Sequence, residues 1–458
     1  MDLRDPVHNF ISLNDEERKL LDTRPLQRLR GIRQLAMANL VYPGAVHTRF
    51  DHTLGVMHVA GLMARQLKIE ESKVRLLRLA ALLHDVGHGP FSHVSEAALS
   101  RHAAENAIPQ GCRRDKIHEL VTARIIQGDP TITRLIGEDI CDQIVKLLSG
   151  GYSEPVLKSI VSGPLDADKQ DYLLRDSRFC GVQYGVFDIH QLHRSLILNG
   201  PMHERQLMVT DEGVHAVEQY VMAKYYMTTN VYRHRVRLIT DQMIVRAIKL
   251  GVEKDEISDL QKLFRFNDNE DFVANYLLWD DARFMVEFCL DAPKKACGKM
   301  LESLRTRRLH KRVFSAKVRD FAEDARDRVA KLSTPEFDEL RGSVERDVAK
   351  ILKKNKKAIG ASSDTLIVHC FTIKSVRETS RNDEAGIMVA KSPAPIPFDQ
   401  ESMLFSSIDE KMDEAYCEVY APVEWESPTE RKKVVEAVRQ DVFDCINAIA
   451  KADRRNQE

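Results

Sequence analysis

The chain has 458 residues, with 68 lysines and arginines against 69 aspartates and glutamates and a formal net charge of −1. That length can bury a large core, as one extended domain or two. The near-neutral balance argues against a broad cationic face for duplex nucleic acid and leaves room only for a local basic pocket.

Eight scattered cysteines form no CxxC pair, which suggests neither a zinc ribbon nor a disulfide framework. Free thiols of this kind fit a reducing cytoplasm. The opening "MDLRDPVHNF" lacks a basic-then-apolar signal pattern, and no apolar run reaches bilayer length. The expectation is a cytoplasmic protein without a membrane partner.

In chain order, "RDPVHNFISLN" reads as a short extended stretch and a turn. "NDEERKLLDTRPLQRLRGIRQLA" reads as helices broken at Pro25, with Asn14 as N-cap and acidic residues in the following turn. Apolar residues at helical spacing predict a helix from Leu54 to Leu67. "SKVRLLRLAALLHD" is another, ended by Gly87 and Gly89. "KIHELVTARII" and "DICDQIVKLLS" read as helices. So does "DADKQDYLLRDSRF", after the turn signal "SGPLD". "RQLMVTDEG" reads as a strand and turn, and a long helix should run from Val214 into the 240s. The second half is helical and highly charged to Lys357. "SSDTLIVHCFTIKSV" and "EAYCEVYAPVEW" read as strands, "SRNDEAGIMVAKSPAPIPFDQES" as a loop, and "PTERKKVVEAVRQDVFDCINAIA" as a closing amphipathic helix. The lysine-rich "KILKKNKKA" reads as a solvated helix face. The fold class expected is mostly α with a small β element in the C-terminal half.

Chemistry concentrates in "LLHDVGHGPFSH", Leu82 to His93. A mononuclear hydrolytic site needs ligands converging from several helices. "RFDHT" supplies His52, "LLHDVGH" supplies His84 and Asp85, and "DADKQDYLLRD" supplies Asp168, with Asp166 as a nearby competitor. Two imidazoles and two carboxylates suit Mn, Fe, Ni, Co or Zn, and Mg if its preference for oxygen is overcome. Such a divalent metal would polarise a phosphoryl oxygen and lower the pKa of a bound water.

His52, then His84-Asp85, then Asp168 resembles the H…HD…D signature of the HD-domain phosphohydrolases. "DPVHNFISL", "DTRPLQRLRGIRQL", "VYPGAVHTRFDHTLGVMHVA", "LLHDVGHGPFSH" and "DADKQDYLLRD" are similar, in the same order, to the deoxynucleoside triphosphate triphosphohydrolases. The likeness is closest to the catalytic core of the vertebrate SAM-and-HD-domain members and their bacterial relatives. No SAM domain is recognisable. The likeness is dense over residues 1–250 and thinner over 251–458. It implies an HD helical core with an N-terminal allosteric segment, followed by a helical region carrying a strand-loop-strand-helix element.

The resemblance gives His52, His84, Asp85 and Asp168 to the metal and His118 to protonation of the leaving oxygen. A histidine suits that role because its pKa lies near working pH. It makes His93 and His88 supporting and phosphate-contacting histidines and Arg49 a triphosphate-binding residue, whose fork suits phosphate. Asp168, Tyr172 and Asp176 recur at i, i+4 and i+8 along one helix face. The resemblance gives Lys169 to phosphate, Tyr172 to the sugar and Asp176 to the 3′-hydroxyl. Gln34 and Leu35 match residues on the sugar edge, and Tyr232 one packing on the nucleoside. Lys224 stands where many relatives carry a phosphate-binding arginine; it keeps the charge and loses the bidentate fork. His58, His102, His203 and His215 receive no role.

Asp22, Gln27 and Arg30 match guanine-reading residues of an allosteric site between subunits. That implies a purine nucleotide activator and a homo-oligomer, dimer or tetramer. Where relatives carry basic residues in the adjoining subsite, this chain reads "VTDEG", acidic at Asp211 and Glu212. The implied reaction is hydrolysis of a dNTP to deoxynucleoside and inorganic triphosphate, in nucleotide-pool control or antiphage dNTP depletion. Two alternatives stand beside it: an HD hydrolase acting on another nucleotide or on single-stranded nucleic acid, and a non-catalytic nucleotide-sensing scaffold.

Overall fold

A computed structural model describes residues 1–104, 107–109, 117–201, 204–267, 270–290, 295–354, 362–373, 386–407, 413–424 and 427–452. His203, the end of the lysine-rich stretch (355–358) and the "SRNDEA" segment lie outside the described residues. The protein is mostly helical with small sheets, as the sequence predicts. It forms two compact units, neither of which is one continuous stretch. The first takes Met1–His234, Lys262–Phe284 and Val376–Glu410; the second takes Arg235–Gln261, Met285–Ser375 and Lys411–Glu458.

The first unit opens with an antiparallel hairpin, Asp2–Asp5 against Asn9–Ser12. Asn14 then caps the Asp15–Leu21 helix. Its side chain accepts from the Glu17 amide, and Glu17 reaches back to the Asn14 amide, so two orphan donors are satisfied together. Pro25 sits in the first turn of the Arg24–Arg28 helix, where its missing N–H costs nothing.

The helix predicted from Leu54 begins five residues earlier, spanning Arg49–Gln66. Thr48 and Asp51 form a second capping box there, in which Asp51 accepts the Thr48 amide at 2.8 Å. This early start places Arg49 and His52 in the first turn with their side chains buried. The helix packs against Glu71–Leu83 and Ala167–Cys180. Gly55 permits the second approach, since a Cβ there would overlap the Asp171 carboxylate.

The long helix expected from Val214 is two. Val214–Met227 passes through a wide turn, Thr228–Tyr232, before Arg235–Lys249 begins the second unit. The cause is local. Thr228 and Thr229 hydroxyls and the Asn230 amide bond back to the carbonyls of Lys224, Tyr225 and Tyr226 at 2.7, 3.0 and 3.0 Å. These carbonyls would otherwise serve the helix ladder.

Part of the expected 380–402 loop is ordered into a sheet. Met388–Val389 pairs in parallel with Gln206–Val209 and antiparallel with Ile396–Pro397, extending the Leu196–Asn199/Gln206–Val209 hairpin. Two-residue strands carry too little periodicity to be read locally; a distant partner orders them.

The second unit holds the predicted C-terminal β element. Glu414–Ala421 is the central strand, with Ile367–Ile373 on one side and Lys311–Lys317 on the other, both antiparallel. The Lys311–Lys317 strand falls in a stretch read as helical. Val313, Phe314, Val368, Cys417 and Val419 pack with Val442 and Ile446 of the Pro428–Ala452 helix.

The buried Glu17 ties the N-terminal helix to the core. Arg78 donates to it at 2.6 and 2.8 Å, and Glu17 is 1% exposed. Glu17→Ala leaves a buried guanidinium without its counter-ion and removes half of a capping box. The expected cost is about 3–5 kcal/mol, read as a lower denaturation midpoint; an unchanged midpoint would show that Arg78 finds another partner.

Candidate active site

Three elements of the first unit bring the site together. His52 comes from the Arg49–Gln66 helix. His84 and Asp85 follow the Glu71–Leu83 helix, and Asp168 stands in the first turn of Ala167–Cys180. His52, His84 and Asp85 offer ligand atoms that all lie within 4.8 Å of one another. Asp168 Oδ1 joins them, 2.9 Å from His52 Nε2 and 3.8 Å from His84 Nε2. Asp166, the competitor, is turned away. It caps its helix by accepting the Lys169 amide at 2.7 Å, and it also accepts the Gly163 amide at 3.1 Å.

The imidazoles are oriented for metal binding. His84 Nδ1–H donates to the Ala81 carbonyl at 2.7 Å, and its buried Nε2 has no hydrogen-bond partner. His52 Nδ1–H donates at 2.8 Å to Asp171, which is fully buried. His52 Nε2 therefore points a lone pair at the Asp168 carboxylate, two acceptors that need a cation or a proton between them. Burial opposes charge on His52, but hydrogen bonds to Asp168 and Asp171 outweigh it and raise its pKa to about 10. The pKa of Asp168 is lowered although burial raises it, because His52 bonds to it and the charges of the His52 and His84 imidazoles favour its ionised form. A donor set of two nitrogens and two carboxylates, with one orphaned nitrogen, fits a divalent metal of the transition series.

A second group adjoins the first: His88, Glu96 and His118, again with ligand atoms within 4.8 Å. Glu96 accepts from His93 Nδ1 at 2.7 Å and from His118 Nδ1 at 2.9 Å. His118 also stacks on His88, centroids 4.3 Å apart. Burial raises the Glu96 carboxyl, yet His93, His118 and His88 hold it well below its usual range. It is therefore ionised. Burial, with Arg49 and His118 close by, lowers His88 to about 4, so its ring is neutral. Its Nε2 lies 3.2 Å from Asp85 Oδ1.

Arg49 is buried and bonds Asp85 Oδ2 at 2.5 Å and Ser92 Oγ through Nε at 2.7 Å. Gln34 and Leu35 are buried in the preceding segment, and the Gln34 carbonyl accepts from Ser92 at 3.2 Å. Asp176 takes a hydrogen bond from Tyr232 at 2.7 Å and one from His47 at 2.7 Å, while Tyr172 meets Tyr232 edge-on at 6.1 Å. Lys169 points to Asp166 and the Gly163 carbonyl, at 2.6 and 3.0 Å. Lys224 is half-buried on the Val214–Met227 helix.

Asp22 and Arg30 are exposed. Arg30 donates to Gln27 at 3.0 Å and covers the Phe50 ring at 3.5 Å, and Gln27 donates to the Leu21 carbonyl at 2.9 Å. In the acidic turn, Asp211 is paired with Lys391 at 2.7 Å.

Sequence reasoning missed Asp171, Glu96, His47 and Ser92. Asp171 follows Asp168 by three and Glu96 follows His93 by three, so helical spacing carried a signal for each. His47 and Ser92 offered none. Asp171 orients His52 while also holding Arg175 and His8, the latter at 2.7 Å. Carboxylates behind metal-binding histidines usually govern affinity roughly 10–100-fold. Asp171→Asn should weaken metal binding by about that factor in a titration of the apoprotein; unaltered affinity would mean His52 is held without it.

The comparisons with known proteins agree with this geometry. Residues 49–170 match the HD domain, and residues 188–424 match the HD associated region. An uncharacterized protein of Methanocaldococcus jannaschii is 33% identical over 266 residues, covering 58% of this chain and 53% of its own. The uncharacterized protein YwfO of Bacillus subtilis is 33% identical over 254 residues, covering 54% of each. Human SAMHD1, a deoxynucleoside triphosphate triphosphohydrolase, is 28% identical over 341 residues, 68% of this chain and 54% of its own. The chain thus spans about half the length of these curated relatives. A hypothetical protein from Aquifex aeolicus shares the fold with a TM-score of 0.68, at 23% identity over 97% of this chain and 99% of its own. With both the HD domain and the HD associated region that follows it matched, this chain belongs to the HD-domain family and carries the HD-associated region.

Proposed function

We propose that the protein is a metal-dependent hydrolase that splits deoxynucleoside triphosphates into deoxynucleoside and inorganic triphosphate. The observation that carries this reading is the pairing of two adjacent groups. One is a four-donor cradle, His52, His84, Asp85 and Asp168. The other is an imidazole, His118, held by an ionised Glu96 beside it. When bound, a divalent ion there would polarise a phosphoryl oxygen and lower the pKa of a water.

The chain's own residues supply the rest. Arg49 offers a guanidinium fork to the α-phosphate. Glu96 takes the Nδ1–H of His118 and fixes the orientation of its ring. His118 Nε2 is then free to donate to the departing 5′-oxygen, with His93 and His88 beside it. Lys169 would swing from Asp166 to the phosphates, and Lys224 would add charge. Tyr172, Asp176 and Tyr232 would border the sugar, with Gln34 and Leu35 along the edge where a 2′-hydroxyl would project. SAMHD1 is named for this activity, which supports the choice of substrate over other nucleotides. A sensor without turnover has no need of a positioned proton donor.

Asp22, Gln27 and Arg30 would take a purine nucleotide activator at an interface between copies of the chain. The Lys391–Asp211 pair lessens the repulsion that the acidic turn presents to a second triphosphate. Among the described residues no helix is long and apolar enough to cross a membrane.

The test of the reaction is product analysis with each dNTP, metals and a second nucleotide. Free triphosphate is expected; monophosphate and pyrophosphate would make it a different hydrolase. Asp85→Ala should abolish metal content and turnover together. His118→Ala should keep the metal and lose roughly 10²–10⁴-fold in rate; loss of metal instead would make His118 a ligand. For regulation, light scattering should show the assembly growing with a purine nucleotide in the wild type and not in Arg30→Ala. A constant mass in both, with equal activity, would remove the allosteric reading.

A further inference from the structure

The turn after the His84-Asp85 pair has an unusual backbone. Phe91 and Ser92 lie in the left-handed region, φ 63° and 60°, although neither is glycine. Such conformations persist only where the surroundings impose them. Here the constraint comes from Asp281, 190 residues away. Its Oδ1 accepts the Phe91 amide at 2.7 Å and its Oδ2 accepts the Arg33 amide at 3.0 Å. Three residues on, the Phe284 ring meets Phe91 edge-on at 5.1 Å. One carboxylate therefore clamps two backbone segments, the strained turn and the stretch carrying Gln34.

The next link leads to the site. Ser92 Oγ accepts from Arg49 and donates to the Gln34 carbonyl at 3.2 Å, so it depends on both clamped segments. Arg49 in turn touches Asp85. We propose that Asp281 is a positioning residue for the phosphate-binding guanidinium: it holds Phe91 and Arg33 so that Ser92 and Gln34 aim Arg49 at the phosphate beside the metal ligands. This rests on the reading of Arg49 given above. Burial makes a carboxylate here costly, raising its pKa to about 6 against the pull of the Phe91 and Arg33 amides and the Arg33 charge. Asparagine would remove that cost, but it has one carbonyl oxygen for two amide donors. The geometry therefore demands the carboxylate.

The experiment compares wild type, Asp281→Asn, Ser92→Ala, Arg49→Ala and the double variant Asp281→Asn/Arg49→Ala. Hydrogen exchange should quicken in Asp281→Asn for peptides containing Arg33 and Phe91, with metal content kept. Arg49 should become more reactive to phenylglyoxal in Asp281→Asn and in Ser92→Ala. With dNTP as probe, Asp281→Asn should lose roughly 10–100-fold in kcat/KM, as expected for a misplaced phosphate contact. In the Arg49→Ala background the same substitution should cost less than about twofold, because the two act in one chain. Multiplicative losses, or unchanged Arg49 reactivity with unchanged exchange, would overturn the proposal. A wild type inactive on every nucleotide would sink the proposed reaction, and the exchange and labelling results would still judge the clamp.

Discussion

The hydrogen bond from His52 to Asp171, 2.8 Å long and wholly buried, is the interaction on which the rest of the first unit depends. Asp171 accepts from His52, His8 and Arg175, and Arg175 reaches Asp5 at 2.8 Å. One carboxylate thus ties the N-terminal hairpin to two core helices and sets the ring orientation of a candidate ligand. Such a network is favourable only when complete. A buried carboxylate stripped of its partners would carry a desolvation penalty of several kcal/mol. Gly55 is part of the same arrangement, because any side chain there would displace Asp171.

The site is rich in opposed charges that offset one another pairwise. Asp85 sits between Arg49, His84 and His88, which hold it well below the usual carboxylate range although burial opposes ionisation. Asp168 is ionised for the same reason, with His52 and His84 as its partners. A cation among these four groups would replace the proton that His52 otherwise keeps, so metal binding and proton release are linked. Glu96 is separated from this set by His88 and serves His93 and His118 instead. The environment therefore divides the histidines into those facing a cation and those facing a carboxylate, and the division matches the two jobs a phosphohydrolase needs.

The Lys262–Phe284 segment returns to this unit and braces the site from behind. Tyr276 donates to the Gly87 carbonyl at 3.0 Å, the Trp279 carbonyl accepts from Arg28 at 2.8 Å, and Asp281 takes two amides. These contacts fall on segments where the backbone has no helical partner. They satisfy polar groups that would otherwise be buried unpaired. They also explain how a two-glycine turn with a strained centre can carry candidate ligands without being loose.

The amino-acid sequence by itself determined what is local. Capping at Asn14, the Glu71–Leu83 helix, the helix beginning at Ala167 and the order of His52, His84-Asp85 and Asp168 all follow from residues within one or two turns. It misjudged the start of the Arg49–Gln66 helix and the break at Thr228–Tyr232, where side-chain bonds to nearby backbone outweigh apolar periodicity. Only the tertiary structure shows how Asp166 and Asp168 differ, since one caps its helix and the other faces two histidines. It alone introduced Asp171 at His52, His47 at Asp176 and Asp281 at Phe91, pairs separated by 119, 129 and 190 residues. Periodicity and capping are written in neighbouring residues. The partner of a buried charge is chosen by whichever distant group the packed core leaves within hydrogen-bond reach.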